Sequence, residues 1–219
     1  MRLRLSALVA ASMLCTAWVA SAQPAAEVMD ERLQQVNPLL VDLEKTSDAH
    51  LNVPRSHGQF LRTLIEMSGA RSALEVGTSN GYSGIWMGLG LERTSGKLTT
   101  LEIDAPRAEE ARANFRQAGL AEVCTCITGD ALEVIPTLKG TYDFVFIDAV
   151  KTDYWKYLEL AKPKIRAGAV IVAHNAISAR DAMSRYFEMV ESDPNLQTTV
   201  VAIEPRDGMA ITYCREKPK

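Results

Sequence analysis

Between residues 72 and 174 the chain repeats one unit five times: a short, nearly continuous apolar run, then a longer stretch with helical spacing. The runs are SALEV (72–76), KLTTLEID (97–104), EVCTCITG (122–129), YDFVFID (142–148) and GAVIVAH (168–174). Helices are expected at 82–91, 105–118, 131–138, 152–165 and 178–192. Strands that are apolar throughout are buried on both faces, which implies a parallel sheet with helices on each side. Two further runs, LQTTVVAIE (196–204) and GMAITYCR (208–215), are joined by the short turn 205–208 and predict an antiparallel hairpin at one edge. The expected architecture is α/β, doubly wound and mostly parallel, with seven strands. In such sheets ligands sit beyond the carboxyl ends of the strands, near the point where strand order reverses.

The 219 residues, 47% of them hydrophobic, suit one domain with a substantial core. The formal charge of −3, with no basic run beyond the first residues, argues against nucleic-acid binding. Residues 1–22 carry a basic start (Arg2, Arg4), an uncharged apolar stretch at 5–20, and Ala20-Ser21-Ala22 before a cut at Gln23. That order predicts a secretory signal peptide and an exported protein, periplasmic or secreted, with no membrane attachment after cleavage. An uncleaved anchor is the alternative, since the run is near the lower length limit for a spanning helix. Residues 23–50 read as a lead-in and a helix over 31–45, kinked or broken at Pro38. The catalytic domain is expected over 51–219. Pro54 suits a helix start, with Phe60, Leu61, Leu64, Ile65 and Met67 as its apolar face. Cys124, Cys126 and Cys214 are too few and too badly spaced for a disulfide framework and read as small buried hydrophobes.

The first strand runs into LEVGTSNGYS (74–83), where Gly77 and Gly81 let backbone approach a ligand at a helix N-terminus. The spacing is G-x-x-x-G rather than G-x-G-x-x-G, which opposes a pyrophosphate and with it a nicotinamide oxidoreductase. Glu75, an acid just ahead of the glycines, suits a cationic or amino-bearing ligand better. Glu102, ending the second strand, can accept both hydroxyls of a ribose. Asp130, after the third, can accept from an adenine amino group, and either acid can equally be a helix N-cap. Together the three loops describe an adenosyl ligand. Asp148 stands at the tip of the fourth strand with Lys151 shortly after it, and His174-Asn175 stand at the tip of the fifth.

In this order LEVGTSNGYS, GDALEVIPTL, YDFVFIDAVKTDYWKYLELAKPKIRAG, the pair before AIS and the terminal DGMAITYCR resemble the cation-dependent class I O-methyltransferases, the caffeoyl-CoA and catechol O-methyltransferase family. The resemblance covers about residues 50–215, and LNVPRSHGQFL (51–61) is similar to the family's N-terminal ligand-binding loop. It implies a Rossmann-like methyltransferase sheet, S-adenosylmethionine as cofactor and a hydroxyl of a small aromatic or catechol-like acceptor. Val53, Gly77, Tyr82 and Ser83 would surround the methionine part, Glu102 would hold the ribose, and Asp130 would lie beside the adenine. Asp148 would bind a metal close to the cofactor amine, and Lys151 matches the lysine that accepts or steers the hydroxyl proton. A homodimer is the implied assembly.

Two departures weaken the metal site that the resemblance implies. The family's Asp-Asn pair at the fifth strand tip, both metal ligands, is here His174-Asn175, and its D-A-D-K is here Asp148-Ala149-Val150-Lys151. Asp148, His174 and Asn175 would suit manganese, iron, zinc or cobalt better than magnesium or calcium. His174 is thus open to three roles: ligand of a softer metal, base without metal, or packing and capping. His57 reads as an exposed residue at a helix start, with a gating or substrate contact as the alternative. The rival function is an exported protein that keeps the adenosyl pocket but has lost catalysis, since S-adenosylmethionine is made in the cytoplasm.

Overall fold

The computed structural model describes residues 30–218, so the signal segment and residues 23–29 of the lead-in lie outside the described residues. The chain opens with α1 (Glu31–Glu44), capped by the Asp30 carboxylate, which accepts from the Leu33 N–H at 2.8 Å. Pro38 neither ends nor splits this helix. A single turn, α2 (Ser47–His50), leads to α3 (Arg55–Ser68), which starts directly behind Pro54. The alternating region follows as β1 (Ser72–Val76), α4 (Tyr82–Thr94), β2 (Lys97–Glu102), α5 (Ala105–Gln117), β3 (Cys124–Thr128), α6 (Ala131–Thr137), β4 (Tyr142–Ile147), α7 (Tyr154–Ala161), β5 (Ile165–Ala173) and α8 (Ser184–Ser192). The chain finishes with β6 (Leu196–Glu204) and β7 (Asp207–Cys214).

The seven strands lie in the order β3-β2-β1-β4-β5-β7-β6. Strands β1 to β5 pair in parallel, whereas β7 runs antiparallel to both β5 and β6. The hairpin therefore sits at one edge, with its second strand inside and β6 outermost. Strand order reverses between β1 and β4, and that reversal locates the site. Alternation along β4 builds both core layers: Phe144 and Phe146 join Leu40, Leu61, Ile65 and Trp86 on one face, while Val145 and Ile147 join Leu74, Tyr154, Leu158 and Tyr186 on the other.

Several boundaries move from expectation. The helix expected over 152–165 is a 3₁₀ turn (Lys151–Asp153), then α7, then a second 3₁₀ turn (Lys162–Lys164), because Pro163 cannot donate to a continuing helix. Strand β5 starts earlier than expected, at Ile165, and α8 starts later, behind a 3₁₀ turn at Asp181–Met183. Met67 is 79% exposed and does not belong to the apolar face of α3. Cys124, Cys126 and Cys214 are buried and free. Among the described residues no helix is long and apolar enough to cross a membrane.

Candidate active site

The carboxyl ends of β1, β2, β4 and β5 open on a cavity of about 870 Å³, with residues 47 and 50–54 supplying a further wall. Its floor is shaped by the loop after β1. Gly77 has φ +100°, and a Cβ there would stand 2.1 Å from the carbonyl oxygen of Asp148, so only glycine fits between β1 and β4 at this point. The Gly77 and Thr78 N–H groups both donate to the Leu101 carbonyl, at 3.0 and 3.2 Å. Ser79, itself at φ +48°, donates its N–H to Glu102 Oε2 at 2.7 Å. Its hydroxyl donates to the His50 carbonyl at 2.7 Å, which ties the loop to the N-terminal wall.

Glu102 is thereby fixed before any ligand arrives. Its second oxygen accepts from the Asp104 N–H at 2.9 Å, and the carboxylate faces the cavity with each oxygen holding one backbone donor and keeping a further lone pair. Asp130 caps α6 by accepting from the Leu132 N–H at 2.8 Å, as one of its sequence readings expects, and it also lines the cavity. Val53, Gly77, Tyr82 and Ser83 line it too. The Tyr82 hydroxyl donates to Glu44 at 2.6 Å, and Arg55 pairs with the same carboxylate at 3.0 Å. Both α1 and α3 are thus joined to the start of α4.

Glu75 is a correction. It is fully buried and does not line the cavity. Its oxygens accept from the hydroxyls of Ser83 at 2.5 Å and Thr100 at 2.6 Å. Burial pushes its carboxyl up to about 8 against those two hydrogen bonds, so it is mostly protonated at neutral pH. It supports Ser83 from behind rather than touching a ligand.

At the tips of β4 and β5 a second cluster forms. Lys151 Nζ lies 2.6 Å from Asp148 Oδ1 and 2.9 Å from the Tyr154 hydroxyl. Burial opposes the charge on Asp148, but His174 and Lys151 outweigh it and hold the carboxyl well below the usual range. The Lys151 side chain is 27% exposed and paired to a carboxylate rather than buried among apolar groups. Asn175, in the left-handed region at φ +55°, donates its amide to Asp207, the first residue of β7, at 2.6 Å.

His57 is not the exposed residue expected from the sequence. It is fully buried in the first turn of α3, and its Nδ1 lies 2.7 Å from Nε2 of His174. Burial, reinforced by the neighbouring His174, pushes its imidazole down and keeps it neutral. Gly58 permits this depth, since a Cβ there would meet the Trp86 ring at 2.2 Å. The contact joins residues 117 apart in sequence, and no local pattern announces it. Asp207, Arg107 and His50 also line the cavity, and motif reading singled out none of them.

The geometry is that of a ligand cleft at the sheet's reversal point. Residues 26–217 match the family model described as O-methyltransferase. The chain belongs to the O-methyltransferase family. This methyltransferase is 34% identical over 206 residues to a catechol O-methyltransferase of Mycobacterium tuberculosis, covering 85% of this chain and 93% of the relative. It is 33% identical over 184 residues to a catechol O-methyltransferase of Niastella koreensis, covering 75% and 83% respectively. Among solved structures, an O-methyltransferase from Bacillus cereus in complex with SAH superposes with a TM-score of 0.74 at 28% identity, covering 87% of this chain and 93% of that one.

Whether the methyltransferase centre suits a divalent ion turns on His174. Its Nδ1 faces Asp148 Oδ2 at 3.2 Å, yet it is buried without a hydrogen-bond partner. Nδ1 is bonded to Cγ, as a carboxylate oxygen is in aspartate, so it has the reach of the oxygen it replaces. With its hydrogen on Nε2, His174 offers a cation a nitrogen donor beside the Asp148 oxygen; with it on Nδ1, the two form the ion pair that holds the Asp148 carboxyl down. Among the described residues no three of His, Cys, Asp and Glu are grouped to hold a metal, so the third donor would be the amide oxygen of Asn175. One nitrogen and two oxygens fit the manganese-to-zinc series better than magnesium.

Proposed function

We propose that this methyltransferase uses S-adenosylmethionine to methylate a hydroxyl of a small aromatic, catechol-like acceptor, and that it does so outside the cytoplasm. One observation carries the reading: a single cavity is lined both by the acids Glu102 and Asp130 and by the Asp148–Lys151 pair. The first pair suits an adenosyl group, and the second gives an acceptor oxygen a cationic neighbour. The catechol O-methyltransferase relatives support the acceptor class, and the SAH complex of the Bacillus cereus protein supports the cofactor.

Glu102 would accept the ribose hydroxyls on the lone pairs its two backbone donors leave free. Gly77 would let the methionine end approach the sheet, and Asp148 would place negative charge near the cofactor's amine. A phenol titrates near 10, so at neutral pH it is a poor nucleophile. A divalent ion at Asp148, His174 and Asn175 would lower that value for a hydroxyl bound to it. The Lys151 ammonium, anchored by Asp148 and Tyr154, stabilises the oxygen charge that grows as the hydroxyl proton leaves to solvent. The acceptor oxygen then bonds to the methyl carbon, the sulfur–carbon bond breaks, and the sulfonium charge is lost. Orientation in one cleft supplies most of the remaining advantage.

The test is calorimetric titration of residues 23–219 with S-adenosylmethionine, then catechol methylation after chelation and after adding manganese, zinc, iron, cobalt or magnesium. Cofactor binding with methyl transfer supports the reading. Binding without turnover on a broad acceptor panel favours the binding-protein rival, and failure to bind the cofactor refutes the assignment. Mass measurement of the exported chain tests the leader, with cleavage before Gln23 expected.

A further inference from the structure

The buried pair His57–His174 is absorbed by none of the roles above. We propose that His57 is a positioning residue: by accepting a hydrogen bond from Nε2–H of His174, it leaves the Nδ1 lone pair aimed at Asp148 Oδ2 as half of a metal-binding pair. This rests on the metal reading of the site.

A neutral imidazole carries one donor and one acceptor nitrogen, and what one nitrogen does fixes the other. His174 Nε2 has a single partner, His57 Nδ1 at 2.7 Å, and both rings are buried. If Nε2 keeps the hydrogen, Nδ1 presents a lone pair to the cavity, where it has no hydrogen-bond partner and lies 3.2 Å from Asp148 Oδ2. The other Asp148 oxygen is already held by Lys151 at 2.6 Å, so Oδ2 is the free one. Metal-bound histidines generally donate their second N–H to a neighbouring acceptor, which fixes tautomer and ring orientation. That acceptor is commonly a carboxylate or carbonyl, and here the α3 imidazole would take its place. Its ring stands edge-on to His174 at an interplanar angle of 85°, and Phe146 contacts His174 from another side. His174 is thus gripped on the face away from the cavity, and the ligating nitrogen is the one left over.

The experiment measures cobalt(II) and manganese(II) dissociation constants for the wild type, His57→Leu and His57→Gln, with the cobalt visible spectrum reporting nitrogen ligation and S-adenosylmethionine affinity reporting an intact cleft. His57→Leu, which has no acceptor, should weaken metal binding about 10–100-fold, with cofactor affinity unchanged. His57→Gln restores a carbonyl acceptor and should recover most of the loss. Should the leucine variant fold poorly, ¹⁵N-histidine spectra of the zinc-loaded wild type decide the matter: a hydrogen on His174 Nε2 with metal at Nδ1 is expected, and the reverse overturns the proposal. Equal metal affinity in wild type and leucine variant also overturns it. If the wild type binds S-adenosylmethionine but neither ion, the metal reading and this role for His57 fall together, and the methyltransferase assignment stands.

Discussion

Replacing Glu75 with glutamine should flatten the pH dependence of folding stability. In the folded chain this carboxyl is enclosed, bonded to Ser83 and Thr100, and keeps its proton until about pH 8, against an ordinary value of 4.5. In the unfolded chain it ionises near its ordinary value. Between these two values the folded state therefore binds more protons, so stability from this group is fully present below the lower value and is lost as pH rises toward the upper one. Each pH unit inside the window is worth about 1.4 kcal/mol, so the wild type should lose about 3 kcal/mol from this group between pH 5 and pH 7.5. Glutamine resembles the protonated acid in shape and offers one acceptor and one donor to the two hydroxyls, which can rotate to suit. Denaturant unfolding of both proteins across pH 5–8 separates this group from the other ionisations, which act on both alike. The variant should gain on the wild type steadily with pH, by about 5–10 °C in melting temperature near neutrality. Parallel stability curves would refute the reasoning, because they would mean that Glu75 does not hold its proton in the fold.

Four further outcomes follow from the same geometry. Lys151→Met should lower kcat for methyl transfer about 10²–10³-fold while cofactor affinity changes little, because it removes the charge beside the acceptor oxygen; equal losses in cofactor affinity would count against that role. Gly77→Ala forces a Cβ onto the Asp148 carbonyl at a positive φ, and should cost at least about 2 kcal/mol and most cofactor binding, measured by melting and calorimetry. Glu102→Ala orphans the Ser79 and Asp104 N–H groups and should weaken S-adenosylmethionine binding about 10–100-fold in calorimetry, through lost ribose contacts and a loosened loop. Asp143→Ala removes the acceptor for the Arg71 and Ser72 N–H groups and the partner of Arg166, and should destabilise by about 2–4 kcal/mol in urea unfolding, without a specific effect on cofactor affinity.

The strands and the cofactor loop were legible because their causes are local. An apolar run such as YDFVFI can be buried on both faces only in a covered sheet, and the Gly77–Gly81 turn states its backbone need outright. The end of α7 was less legible: the apolar pattern continues past Ala161, but Pro163 interrupts the helical bonding. Met67 reads as part of the apolar face, yet it points away from the side of α3 that Leu61 and Ile65 bury. Around the site, acids at strand tips could be read from position, whereas Glu75 could not. Whether an acid before a turn faces ligand or core depends on which way a strand of period two places it, and here it points inward to Ser83 and Thr100. His57 was least legible of all, because its partner follows β5, 117 residues away, and the depth of α3 is set by a glycine's missing side chain against Trp86.

The cleft draws its walls from both ends of the described chain: Val53 comes from a segment ahead of the first strand, and Asp207 from the start of the last. Synthesis proceeds from the amino end, so a nascent chain carries the adenosyl loops long before it carries Asp207, the residue that holds Asn175. A chain cut short before β7 therefore lacks both a wall of the cleft and the partner of the Asn175 amide.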